Sequence, residues 1–402
     1  MPAPAPQSPR GHPAEVLRVA LRLGLTSFGG PIAHLGYFER TYVRELGWLS
    51  AEQYGGLVAL CQVLPGPTSS QVGFLIGLHR AGWGGALAAF LGFTLPSALV
   101  LYACARLSTQ LEGPLVEATI HGLKLVAVAV VAQAVWSMAW RLSTDTRTRL
   151  IALGAAALLL ASGAASAPLA ALALGLAAGV LWCRPASVPP LAWEPLARGR
   201  AAWLALAAFS VLLLALPLLS WRYPHSGVAL AQVFYRAGAL VFGGGHVVLP
   251  LLRAPLVPGW LSDDAFLGGY GLAQAMPGPL FTVAAYLGAI AAVGTPTAGA
   301  LIALVAIFLP GLLLAVAGSS LWTALAQRTR LRAGITGVNA AVVGILAAAL
   351  YEPVWTSAIH GPADIAVAAG ALLLLMTQRV PPLVVVALCT ALSIVRGVFA
   401  GV

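Results

Sequence analysis

An all-α, polytopic membrane protein is the fold class this chain predicts, with about 13 transmembrane helices in a range of about 10–14. Three observations predict it. Of 402 residues, 60% are hydrophobic and 8% charged, too little polar surface to coat a soluble globule of that size. Apolar runs of bilayer-spanning length recur from end to end, without the alternation of an outer-membrane barrel. A set of short motifs also occurs twice in the same order, which predicts two homologous halves.

In chain order, the opening MPAPAPQSPRGHPAE is Pro-rich and polar and lacks the apolar core of a cleavable signal, so residues 1–13 read as a cytosolic tail. Apolar runs follow near 16–38, 55–78, 82–105, 115–139, 150–164, 166–183, 202–220, 228–251, 265–290, 297–320, 333–351, 363–377 and 380–399. Cys61, Cys104, Cys183 and Cys389 stand singly in apolar surroundings, without the spacing of a disulfide framework or zinc site. No cofactor or metal is expected.

The net charge of +10 would suggest nucleic acid in a soluble chain. Here the arginines fall mostly in short loops, which is how orientation in a bilayer is set, and no nucleic acid partner is expected. If every run crosses and the N-terminus is cytosolic, thirteen arginines collect on the cytosolic side, among them Arg10, Arg198, Arg253 and Arg379, against five outside, among them Arg40 and Arg44. That is the sense of the positive-inside rule. It predicts a cytosolic N-terminus and a C-terminus on the opposite side of the membrane.

The repeat makes an architecture of these runs. RLGLTSFGG at 22–30 matches RAGALVFGG at 236–244, GWLS at 47–50 matches 259–262, and QVLPGP at 62–67 answers QAMPGP at 274–279. FTLP at 93–96 answers IFLP at 307–310, and IHGLKLVAV at 120–128 answers ITGVNAAVV at 335–343. The division is 14–183 for the first repeat, 184–227 for a linker with an extra helix, and 228–402 for the second repeat. An odd number of crossings between equivalent helices inverts the second copy.

Pro65, Gly66 and Pro67, like Pro277, Gly278 and Pro279, must break a helix, because proline lacks an amide proton and glycine lacks a side chain. Inverted repeats with helices interrupted near the midplane are the plan of many secondary transporters, in which helix ends line the substrate site. A half-helix starting after Pro67 or Pro279 would aim free amides and a positive dipole end at an anion. Thr68, Ser69 and Ser70 add hydroxyls on the first turn, where the second copy has Leu280, Phe281 and Thr282. The opposing reading is a tight crossing at small residues with a mere kink.

At these residues the chain resembles the chromate ion transporter superfamily in its long, two-domain form. SFGGPIAHLGYFERTYVRELGWLS, QVLPGP, FTLPS, VFGGGHVVLP, GWLSDDAF and QAMPGP carry the likeness. The resemblance implies efflux of chromate, a sulfate-like divalent oxyanion, from the bacterial cytoplasm. Expected partners are that oxyanion and the lipid bilayer, with a homodimer as the open assembly state. Coupling to the proton motive force, chromate resistance and no enzymatic activity complete the expectation. The alternatives are a passive anion channel or a carrier of another oxyanion such as sulfate. An intramembrane lipid-pyrophosphate phosphatase is a further reading, although PGPTSSQ lacks that class's Arg and no acidic cluster stands near.

Candidate site residues follow from the motifs. Arg22 and Arg236 are equivalent, and a guanidinium fork suits a tetrahedral oxyanion, although both could also snorkel to the headgroups. Ser27, Phe28, Gly29 and Gly30, with Phe242, Gly243, Gly244 and Gly245, form the paired FGG segments, and Gln62 and Gln274 precede the breaks. His34 and His246 follow their FGG motifs without aligning with each other. Lys124 aligns with Asn339, a charge asymmetry suited to an anion. In GWLS, Trp48 and Trp260 suit the membrane interface, and Ser50 and Ser262 suit helix caps.

Overall fold

The computed structural model describes residues 11–108, 110, 113–164, 166–185, 199–291, 293–377 and 380–400. Arg10, Arg198, Arg379, Val402 and most of the Pro-rich stretch 184–200 lie outside the described residues. Among those described there is no strand. The helices are α1 Pro13–Thr26, α2 Gly30–Phe38, α3 Ala51–Val63, α4 Thr68–Ser108, α5 Pro114–Leu142, α6 Thr146–Ser162, α7 Ala167–Trp182, α8 Gly199–Arg222 and α9 Gly227–Leu240. They continue as α10 Val248–Leu256, α11 Asp263–Gln274, α12 Val283–Ala291, α13 Pro296–Gln327, α14 Thr329–Ala349, α15 Thr356–Ala358, α16 Pro362–Met376 and α17 Pro382–Ala400. Five helical stretches, 68–108, 114–142, 199–222, 296–321 and 329–358, are long and apolar enough by themselves to cross a membrane.

Local chemistry sets the helix starts at the ends of the bundle. Ser50 caps α3 in a capping box with Gln53, and Ser262 caps α11 ahead of Asp263 and Asp264. Asp145 caps α6, where the Thr148 hydroxyl and then its amide hold the carboxyl below its ordinary range.

α4 is two antiparallel arms. It doubles back at Ala81 and Gly82, the latter at φ +62°, so that the backbones of Gly77 and Gly85 touch. α1 runs parallel to the second arm, with Pro13 beside Gly84, Ala20 beside Gly92 and Gly24 beside Phe93. It therefore starts at one end of the bundle, where the Gly11 amide donates to the Arg80 carbonyl over 2.9 Å. It stops at mid-depth, halfway along the arm. The chain then returns through α2, because Trp48 lies under the Arg80 guanidinium, 5.1 Å from its ring centre. α3 re-enters from that same end and stops at PGP, and the first arm of α4 goes back out.

The second half repeats this path from the other end. α9 runs parallel to α13, with Gly238 against Ile307 and Pro310, and α10 returns until Trp260 meets His225, the ring centres 5.5 Å apart. α11 goes in to the second PGP, and α12 comes out to pair with the start of α13 at Gly288 and Gly299. The halves are inverted: the Tyr102 and Thr297 hydroxyls bond at 2.6 Å and the Phe90 and Phe308 rings lie 5.2 Å apart, so the second arm of α4 is antiparallel to α13.

The runs at 16–38, 55–78, 228–251 and 265–290 thus exist as helix, but each folds back at mid-depth. Hydropathy counts apolar length and is blind to direction. Arg40 and Arg44 consequently join the N-terminal end and Arg253 leaves it, which sharpens the charge bias. α8 passes from end to end with most of its surface exposed, as a linker between inverted halves requires.

The halves also exchange walls. α5 of the first half packs chiefly on α17, α11 and α16 of the second, while α14 of the second packs on α7 and α6 of the first. Gly337 makes the latter contact close: any Cβ there would fall 2.1 Å from the Gly175 carbonyl oxygen.

Candidate functional site

The four breaks meet at mid-depth because glycines allow it. Gly66 sits at φ +122° and Gly278 at φ +89°, conformations strained for any residue with a side chain. Freed of a side chain, each PGP glycine docks onto the other half. Gly66 donates its amide to the Val241 carbonyl and Gly278 donates to Ser27, both over 2.8 Å. Ser27 and Val241 are equivalent residues, each immediately before its own FGG. Gly66 lies against Gly311, next to Pro310 inside α13, and Gly278 lies against Phe93 and Ser97, which flank Pro96 inside α4.

Around this crossing the polar groups lack partners. The Oγ atoms of Ser27 and Ser70, Oγ1 of Thr94, Nε2 of His34, Oε1 of Gln71, Nε2 of Gln274 and Oδ1 of Asn339 are enclosed without a hydrogen bond in the protein. His34 Nδ1 stands 3.3 Å from the Ser69 hydroxyl, and its ring meets Phe93 edge-on. On the other side His246 Nδ1 lies 2.8 Å from the Tyr270 hydroxyl, which also borders Gln274. Gln71 Nε2 bridges the Pro65 and Gly311 carbonyls, each at 2.9 Å, and so satisfies acceptors that the breaks expose.

Electrostatics favour a negative guest. None of the acidic residues falls in an FGG or PGP segment. The helical turns starting at Gly30, Gly245 and Leu280 have no side-chain cap. Of the helices that begin at the bundle ends, α3, α6, α9 and α11 carry Ser50, Asp145, Ser226 and Ser262 as caps, while α5, α7, α14 and α16 have no side-chain cap. Uncapped starts at mid-depth leave amides and positive dipole ends pointing into the crossing.

The halves differ. Gly29 is exposed and the surroundings of Gly30 are open, whereas Gly243 packs on Met138 and Leu142 with Asn339 Oδ1 adjacent. Pro31 touches Gly245 across the halves, and Leu280 joins them. Phe28 and Phe242 are partly buried, as are Thr68 and Pro65, while Pro67 is buried against Gly311.

Several expected contributors stand elsewhere. Arg22 is exposed on α1, and Arg236 lines a narrow crevice with Pro168 and Leu240. Lys124 pairs with Asp264 and reaches the Ser357 carbonyl, so a carboxylate already balances its charge. Gln62 is exposed at the end of α3. Conversely, Gln71, Thr94, Ser97 and Tyr270 belong to the crossing and were not singled out by the sequence. Tyr270 carries a findable signal, four residues before Gln274 on one helix face.

A second polar cluster lies away from the crossing. His121, His360 and Asp364 place ligand-type atoms within 4.8 Å of one another. The Asp364 oxygens already accept from Arg396 at 2.7 Å, His121 Nε2 at 3.1 Å and the His360 amide at 2.9 Å. The carboxylate is satisfied, and the cluster is a clasp tying α5 to α16 and α17.

The family model for chromate transporters matches residues 14–181 and again 228–394, covering both sets of breaks. The chain belongs to the chromate transporter family. Among its relatives, a chromate transport protein of Pseudomonas aeruginosa is 30% identical over 357 residues, 83% of this chain and 79% of the relative. A probable chromate transport protein of Synechococcus elongatus is 30% identical over 350 residues, 84% and 85% of the two chains. An uncharacterized transporter of Methanocaldococcus jannaschii is 24% identical over 339 residues, 82% and 81% of the two. No solved structure shows a significant match. As a chromate transporter family member with apolar helices, the chain is a multi-pass membrane protein.

Proposed function

We propose that the protein is a secondary transporter that exports chromate across the bacterial cytoplasmic membrane, driven by the proton motive force. Its N-terminus is cytosolic, its C-terminus periplasmic, and it catalyses no covalent reaction. The observation that carries this reading is the mid-depth crossing, where each PGP is bonded to the residue before the other half's FGG and uncapped helix starts lie beside donors without partners. A divalent tetrahedral oxyanion takes several donors at once, and the Ser27, Ser70 and Thr94 hydroxyls with the amides after Gly29 and Pro67 are such a set. Sulfate, with the same shape and charge, competes for it.

The unequal environments of the two FGG segments support alternating access. In this state the first half's glycines are open and the second half's are covered. Exchange of the two environments, which inverted repeats permit, opens the site to the opposite side. His34, enclosed beside Ser69, is the proton-carrying candidate at the crossing.

The test is uptake of labelled chromate into everted vesicles with and without an imposed pH gradient. Uptake that follows the gradient, and is reduced by excess sulfate, is the expected result. A conductance that scales with voltage and ignores the proton gradient would instead establish a passive anion channel.

A further inference from the structure

A cavity of about 460 Å³ lies not at the polar crossing but beside it. Its wall is drawn from the end of α3, the middle of α7, the last residue of α9 with Phe242, and the first turns of α14. Every lining residue is apolar except Arg332. An oxyanion entering it would lose its water and find almost no donors, which is strongly unfavourable. A hydrocarbon chain loses nothing there. The cavity extends from Leu331 and Arg332 at the start of α14 to Pro65 and Phe242 at mid-depth. That span is half of a bilayer core, about 15 Å, the reach of one acyl chain.

The mouth is positively charged. α7 is antiparallel to α14, with Gly179 against Ala333 and Gly175 against Ala341, so Arg184 falls at the same end as Arg328, Arg330 and Arg332. Arg147 reaches the Trp182 carbonyl and joins them. Of the acidic residues at this end, Asp145 is engaged in capping α6 through the Thr148 amide at 2.8 Å, and Glu15, Glu39 and Glu45 pair with Arg80, Arg44 and Arg40. An apolar slot one chain deep below a cluster of arginines at headgroup level is the complement of an anionic phospholipid. We infer that this crevice is a binding site for an anionic phospholipid, its phosphate held by the arginines at the start of α14 and one acyl chain filling the cavity. The bound chain ends against Pro65 and Phe242, which flank the Gly66 to Val241 bond, so lipid occupancy braces that joint. The binding site stands whichever ion the protein carries.

The experiment is native mass spectrometry of the purified full chain with dioleoyl-phosphatidylglycerol or dioleoyl-phosphatidylcholine at equal concentration. A preference of about tenfold for phosphatidylglycerol is expected. The triple variant Arg328→Gln, Arg330→Gln, Arg332→Gln should abolish that preference, and Ala173→Trp, which fills the slot and leaves the arginines, should remove the retained lipid. Each variant is first shown to elute and melt as the parent does, and Leu172→Phe replaces Ala173→Trp if the latter does not fold. Equal binding of the two lipids, a preference surviving the triple change, or equal competition by glycerol phosphate would overturn the proposal.

Discussion

Gly66 donates its amide to the carbonyl of Val241 across the two halves of the chain, over 2.8 Å, and Gly278 makes the equivalent bond to Ser27 over the same distance. The site is therefore held by a reciprocal pair of backbone bonds at mid-depth, where an unpaired amide or carbonyl would find no water.

Replacing these glycines should separate two effects. A Cβ on Gly66 would fall 2.8 Å from Gly311 Cα, so Gly66→Ala combines backbone strain with a backbone clash, whereas Gly30→Ala, at φ +77° in open space, adds strain alone. Gly30→Ala should lower stability by about 1–3 kcal/mol and Gly66→Ala by more. Thermal unfolding of the purified proteins gives the order, and a reversed order removes the close docking.

Hydroxyls without partners give a discriminating test. Ser70 and Thr94 make no side-chain bond within the protein, so Ser70→Ala and Thr94→Val should leave the melting temperature unchanged or raise it. If they serve the oxyanion, chromate affinity should fall by about 1–1.4 kcal/mol each, roughly five- to tenfold. Unchanged affinity in both would take them out of the site.

Arg22 and Arg236 are expected to tolerate lysine. One is exposed and the other faces an apolar crevice, so Arg22→Lys and Arg236→Lys should bind chromate as the parent does, a point charge being sufficient for snorkelling. Titration with chromate decides it; weakened binding would bring the guanidinium forks back to the substrate.

The fold-back path is directly testable with cysteine labelling in a cysteine-free background. Ala14→Cys and Glu45→Cys, both exposed, should react from the same face of the membrane, and Thr295→Cys from the opposite face. Reaction of positions 14 and 45 from opposite faces would mean that α1 and α2 together cross.

Asp364 is almost fully enclosed and Arg396 is half-exposed. Asp364→Asn should therefore cost about 3 kcal/mol, the low end for breaking an enclosed ion pair, read as a lower melting temperature. A melt unchanged by Asp364→Asn would show that the clasp holds nothing.

Much of this arrangement was legible in the residues, and the division has physical causes. FGG, PGP, GWLS and the FTLP and IFLP prolines each dictate a local backbone event, so their order revealed the duplication. The inversion followed from an odd number of crossings between equivalent helices, a parity that the four fold-backs leave odd. Direction after a break is not local: nothing in 16–38 or 55–78 says that the chain turns back, because a re-entrant pair and a through helix carry the same apolar length. The pairing of Gly66 with Val241 joins residues far apart in sequence. Thr94 and Gln71 are single polar residues in apolar helices, a pattern that reads equally as packing, and Lys124 looked like a free cation because Asp264 meets it only in three dimensions.

The exchange of α6 and α7 for α16 and α17 has a consequence for biogenesis. When the first repeat leaves the ribosome, α5 lacks the helices that will cover it, since α11, α16 and α17 all belong to the second repeat. Membrane insertion must therefore precede assembly, with the early half held open to lipid or a chaperone until the end of synthesis. The same geometry makes descent from two separate polypeptides straightforward: a complex of two such chains would already contain every wall, and fusion of their genes would require only a connector that reaches from one face of the bilayer to the other.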